Sequence, residues 1–178
     1  MYRDYKRYPY THQISQMISQ RDTRYQNNQP YSDTSYHNIQ LQDYGPKPFV
    51  IDIEDATMQN NNFRTALWTG TYIQLTLMSI NVGDEIGLEM HPDIDQFIRI
   101  EEGEGMVMMG DFEDNLDFQM RVDDDYIIII PAGKWHNLIN IGNQPIKLYS
   151  IYAPPQHPHG TVHETKFDAE AAEADYGY

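Results

Sequence analysis

Residues 83–103 read GDEIGLEMHPDIDQFIRIEEG, two short runs with apolar alternation on either side of the turn HPDID. Glu89 and His91 stand at i and i+2, so on one strand both side chains project to the same face. Gln96 begins the strand after the turn, and Ile98 shares its face. A second stretch, DYIIIIPAGKWHNLIN over 125–140, ends an apolar run at a Pro-Ala-Gly-Lys turn and sets His136 at the opening of the return strand. Leu138 and Asn140 share the His136 face. A carboxylate and two imidazoles converging between such strands can hold a divalent metal, and Gln96 adds a weaker, neutral oxygen ligand.

The same texture extends outward from Phe49 to Pro154, where short runs rich in Ile, Val, Leu, Phe and Tyr are punctuated by Gly, Asp, Asn and Pro. It predicts strands near Phe63–Trp68, Tyr72–Ile80, Ile86–His91, Gln96–Glu101, Met106–Met109, Leu116–Val122, Tyr126–Ile130, Trp135–Ile141 and Ile146–Tyr152. In one of them Ile73, Leu75 and Leu77 take one face and Tyr72, Gln74, Thr76 and Met78 the other. The run YIIIIP is continuously apolar, which suits a strand covered on both faces. The tail FDAEAAEADYGY contains good helix formers but is too short to hold a helix unaided. With no convincing long helix, the expected class is all-β, a sandwich or barrel.

These two stretches resemble the two sequence motifs of the cupin superfamily. The first motif, Gly-x5-His-x-His-x3,4-Glu-x6-Gly, is matched in spacing by Gly83, Glu89, His91, Gln96 and Gly103. The second, Gly-x5-Pro-x-Gly-x2-His-x3-Asn, is matched by Pro131, Gly133, His136 and Asn140, with Asp125 where its leading glycine would be. The resemblance implies a cupin barrel, a double-stranded β-helix or jelly roll. It is nearest to the small single-domain bacterial cupins often labelled mannose-6-phosphate-isomerase-like. By the same resemblance, a metal would be held by Glu89, His91, Gln96 and His136, although carboxylate and amide have changed places relative to the family pattern. Iron, manganese, zinc and nickel all suit two imidazoles and a carboxylate. Cupin kinship further implies a homo-oligomer, by default a dimer.

Beyond the barrel the chain changes character. Residues 1–44 hold eight of the fourteen tyrosines and many Gln, Asn and Ser. Apart from a short helix through Ile14, Met17 and Ile18, this arm has too little apolar area to order itself; it is either a flexible leader or an assembly arm. The expected division is therefore an arm over 1–44, a barrel over 45–154, and a His- and Pro-containing segment with an acidic tail over 155–178. Three histidines in that last segment, His157, His159 and His163, could bind metal or cap the barrel mouth. The prolines at 154, 155 and 158 favour an exposed, structurally silent connection.

The formal charge of -15 argues against nucleic acid, whose binding needs a basic face. No apolar run is long enough to span a bilayer, and the N-terminus lacks the apolar segment of a secretory signal. The expected location is cytoplasmic, with a spore or cell-surface layer as the alternative. Without cysteine there is no disulfide or thiolate site. Trp68, Tyr72, Trp135 and Tyr149 could line a mouth suited to a sugar or an aromatic ring. Arg99 and Lys134 are the basic groups near the motifs, too few for a phosphosugar. Asn140 is the candidate to hold the free ring nitrogen of a ligating histidine.

Two functions follow. One is a divalent-metal cupin acting on a small sugar-like or other small molecule, with isomerase- or dioxygenase-type chemistry. In it Glu89 and His136 are the expected catalytic residues, Glu89 serving as ligand or general base. The other is a non-catalytic assembly cupin with a vestigial pocket, tied together by the tyrosine-rich arm.

Overall fold

The computed structural model describes residues 38–176. The expected arm up to residue 37, with its proposed helix, lies outside them. In chain order the described elements are α1 (Ile53–Gln59), β1 (Arg64–Thr69), β2 (Gln74–Ile80), β3 (Glu89–Met90), β4 (Asp95–Glu102), β5 (Gly105–Gly110), β6 (Phe118–Val122), β7 (Ile127–Ile130), β8 (Trp135–Asn140), β9 (Ile146–Ala153), β10 (Val162–His163) and α2 (Lys166–Tyr176). Six strands form one sheet in the order β10-β1-β2-β9-β4-β7, and four form the other in the order β3-β8-β5-β6. The strand pairs in both sheets are antiparallel, as an all-β jelly roll requires. The nine expected strands are all present. The one expected over Ile86–His91 is cut to two residues, because Gly87 takes a φ of 101° that a pleated strand does not accommodate.

Alternation along each strand splits the interior into two halves. Met78 and Ile80 of β2, Ile98 and Ile100 of β4, Leu138 of β8 and Leu148 of β9 meet in one apolar core. Burying each such side chain contributes roughly 1.5–3 kcal/mol. The other half of the interior is polar: Arg64, Gln74, Thr76, Gln96, His136 and Ser150 are all buried there. Ile98 and Leu138, which share faces with Gln96 and His136 and suggest a largely apolar interior, lie in the apolar half alone. Parity shows which face a residue takes, not how far along the barrel it sits.

Outside the six-stranded sheet, Leu67 and Leu77 pack with Ala56 of α1 and with Ile39, Leu41, Tyr44 and Phe49. The Tyr44 amide donates to the Leu67 carbonyl (2.9 Å), so residues 38–44 run continuously onto the barrel across the boundary drawn at Gly45. A side chain at Gly45 would strike the Thr69 backbone, which is why the chain crosses here on glycine. Asp52 caps α1 by accepting from the Asp55 amide (3.2 Å). The far end of α1 has no basic residue of its own; Lys147, from β9, donates to the Asn60 carbonyl and to Asn61 Oδ1. That cation at a helix C-terminus is buried, and burial pushes its pKa down while Glu102 pulls it back. Lys147→Met is expected to destabilise the fold by about 2 kcal/mol, read as a lower urea midpoint at unchanged slope.

One expectation needs correcting, and another is met only with help from the rest of the fold. The YIIIIP run is not covered on both faces: Ile128 and Ile130 point inward, but Ile127 and Ile129 are 55% and 54% exposed. β7 is the edge of its sheet, and its outer face is open among the described residues. The C-terminal helix does form. Thr165 and Asp168 exchange hydrogen bonds in a capping box (2.9 and 3.2 Å), Ala169 enters the core, and Lys166 pairs with Glu85 (3.3 Å). Tertiary anchoring supplies what local propensity alone does not.

Candidate metal centre

β3 and β8 are paired so that Glu89 lies directly across from His136. The Pro-Ala-Gly-Lys turn sets this register. Gly133 adopts a φ of 79°, and its amide donates to the His91 carbonyl at 2.7 Å, so the two motif stretches are tied beside the site. Glu89 Oε1 is 3.3 Å from His136 Nε2 and 3.5 Å from His91 Nε2. The three ligand atoms all lie within 4.8 Å of one another. His136 is 1% exposed and Glu89 19%, so the cluster is sheltered yet reachable.

The electrostatics suit a cation. Burial opposes ionisation of Glu89, but the contact with His136, the close approach of His91 and the Arg64 charge outweigh it, holding the carboxyl well below the usual carboxylate range. The ring of His136 is fixed from behind, with Nδ1 2.9 Å from the Lys134 carbonyl, so Nε2 is the nitrogen offered to the site. His91 Nε2 is buried and, among the described residues, makes no hydrogen bond within normal limits. The separations of 3.3 and 3.5 Å from Glu89 Oε1 suit neighbouring ligands on one ion with bonds of about 2.0–2.2 Å. The residues present therefore fit a divalent metal.

Gln96 faces inward on β4, across from Tyr152 of β9. Its Nε2 donates to Ser150 Oγ (3.0 Å), which leaves Oε1 buried with no hydrogen-bond partner among the described residues. Asn140 does not hold a histidine. It donates to the Ile80 and Gln144 carbonyls (2.9 and 2.8 Å) and accepts from Gly142, bracing the turn between β8 and β9. Of the four aromatics expected at a mouth, Trp135 lines the cavity beside the cluster, while Trp68 and Tyr149 line a groove on the opposite side of the six-stranded sheet. Tyr72 is 80% exposed. Arg99 is engaged by Glu101 and Asp125, and Lys134 by Asp111, so both basic groups are spent on ion pairs.

Sequence reasoning missed Arg64 and misjudged His157. Arg64 is 1% exposed, and its charge acts on Glu89, His157 and His163. A lone cation among Phe63, Thr65 and Ala66 was the available signal, but the run shows no alternation to say which way it points. His157 is not a silent exposed residue; it lines the same cavity as Glu89 and His91.

Residues 76–152 match the Cupin domain family, spanning β2 to β9 and the whole cluster. The chain is 65% identical over 136 residues to YrkC of Bacillus subtilis, covering 76% of this chain and 73% of that one. The chain belongs to the cupin superfamily. This cupin is also 38% identical over 115 residues to L612 of Acanthamoeba polyphaga mimivirus, covering 64% of this chain and 70% of the relative. Among solved structures it is similar to BH2720 of Bacillus halodurans, with 66% identity and a TM-score of 0.73 over 74% of this chain and 99% of that one.

Proposed function

We infer that this cupin binds a divalent metal through Glu89, His91 and His136 and takes a small molecule in the adjoining cavity. The observation that carries this reading is the convergence of three ligand atoms within 4.8 Å on the edge of a cavity of about 560 Å³. That volume falls in the usual range for small-molecule sites. Gln96 Oε1 is the candidate for a fourth, weaker ligand or a substrate-facing acceptor. When bound, the ion supplies Lewis acidity toward a substrate oxygen or, for a redox-active metal, oxygenase-type chemistry. Iron, manganese, zinc and nickel all fit the donor set.

The chain's own residues orient and shelter. His136, fixed by the Lys134 carbonyl, presents a single nitrogen. Glu89 stays ionised, which suits it to act as ligand; held so far below the ordinary carboxylate range, it is a weak base toward a substrate proton. Trp135, Leu88, Pro92 and Ile94 give the cavity an apolar wall, and Asp93 and Gln156 give it polar points. An aliphatic and aromatic wall beside polar groups suits a sugar-like or similarly small substrate, in isomerase- or dioxygenase-type chemistry. Kinship with the mannose-6-phosphate-isomerase-like cupins enters this reading as a relation of fold. Elemental analysis of protein purified without chelator should find close to one ion per chain, and far less than one would overturn the reading.

A homodimer is the second part of the proposal, and a specific surface favours it. Ile127 and Ile129 on the β7 edge, with Phe97, Tyr149 and Ile151 beside them, leave an apolar outer face on a strongly acidic molecule. The double variant Ile127→Glu/Ile129→Glu should convert the dimer to monomer by light scattering with an unchanged near-UV spectrum. Deleting residues 1–36 tests the assembly-arm alternative: an unchanged oligomer size would dispose of it.

A further inference from the structure

Within residues 154–161, Gln156 and His157 line the cavity beside the Glu89–His91–His136 cluster, and buried polar groups pin the segment there. Gln74, fully buried on β2, turns both ends of its amide to one residue of this strap, while its Nε2 also donates to Thr69 Oγ1 (2.9 Å). Its Nε2 donates to the His157 carbonyl (2.8 Å), and its Oε1 accepts from the His157 amide (2.9 Å). Asp43 accepts from the Gly160 amide (3.0 Å) and secures the far end. A glutamine that pairs with a backbone as a neighbouring strand would is a fixed mount for one side chain.

The side chain so mounted is an imidazole. Its ring stands edge-on to Tyr152 (centroids 5.2 Å, planes at 89°), and Tyr152 stands edge-on to His91 (5.9 Å, 80°). Burial and the Arg64 charge push the His157 pKa down to about 2, so the ring is neutral. Its Nε2 is shielded from water and meets no hydrogen-bond partner among the described residues. A buried polar atom left unmet is costly, and beside a cavity a matching group held there removes that cost.

We propose that His157 is a ligand-contacting, specificity-determining residue of this cavity, and that the occupant is a hydroxylated small molecule whose hydroxyl meets His157 Nε2 while another oxygen engages the Glu89–His91–His136 centre. A hydroxyl both donates and accepts, so it satisfies a neutral imidazole in either tautomer. This deepens the metal-binding reading and rests on it.

The test uses full-length protein loaded with cobalt(II), titrated with glycolate and with acetate, which differ by one hydroxyl, and followed by cobalt absorption. His157→Phe keeps the ring against Tyr152 and removes both nitrogens. It should weaken glycolate binding about tenfold while changing acetate binding less than about twofold. His157→Gln, which restores a hydrogen-bonding group, should recover most of the loss. Equal weakening of both probes, or glycolate binding indifferent to residue 157, overturns the proposal alone. A wild-type chain that takes up no cobalt overturns the metal reading and this proposal with it.

Discussion

Alanine in place of His136 is expected to lower divalent-ion affinity by at least about a hundredfold, and Glu89→Ala to do the same. Removing a group that merely orients a ligand costs about ten- to a hundredfold, and removal of a ligand itself should match or exceed that. His136 offers one nitrogen to the cluster while the Lys134 carbonyl holds the other, so no second rotamer can supply a replacement donor without giving up that bond. Glu89 is the one carboxylate within the cluster, and without it only two imidazoles remain to face a dication. Competition against a chelating indicator measures the effect. The companion reading is thermal: ion at a hundred times its dissociation constant should stabilise the wild type by about 2.7 kcal/mol and the variants hardly at all. His159→Ala, an imidazole outside the cavity lining, should bind metal as the wild type does.

The second large effect is on stability. Asp43 is a carboxylate with a 1% exposed side chain, and it accepts from four donors: the amides of Gly45, Thr69 and Gly160 and the hydroxyl of Thr69. It joins the segment before α1, the end of β1 and the strap over the cavity. Asp43→Ala leaves these donors unmet, and the expected loss is about 3 kcal/mol, or a drop in Tm of roughly 10 °C for a domain of this size.

The pH dependence of this contribution has a definite sign. Burial opposes ionisation of Asp43, but the bonds from Thr69, Gly160 and Gly45, with His159 nearby, outweigh it and hold the carboxyl below its ordinary value. The folded pKa is therefore lower than the unfolded one. The stabilisation is complete above the unfolded value of 3.8 and is lost as pH falls from there through the folded value. The gap in unfolding free energy between wild type and Asp43→Asn should be widest near neutrality and should narrow below about pH 4. A gap that stays constant across that range would remove the charge from the explanation.

The sequence carried the strands because period-two alternation and turn residues are local signals; it carried Glu89 and His91 because an i, i+2 spacing in extended chain fixes their relative direction, and His136 through the likeness to the second cupin motif. What it could not carry depends on partners far along the chain. Arg64 reaches the cluster through the packing of β1, while Gln74 and His157 are brought together across 83 residues. Lys147 caps a helix formed nearly ninety positions earlier, which no window around IEDATMQ reveals. The outward Ile127 and Ile129 were misread for a related reason: four isoleucines in a row hide whether a strand is central or at an edge.

The split of the barrel interior into an apolar half and a polar half has a bearing on how such a protein changes over time. The hydrophobic floor, around Ile98, Ile100, Leu138 and Leu148, packs as one apolar cluster between the sheets. Substitutions at Gln96, Ser150 or His157 can therefore retune what the chamber accepts while the floor keeps the shell closed. Selection for a new ligand and selection for a durable scaffold act on different residues, leaving lineages free to explore one without forfeiting the other.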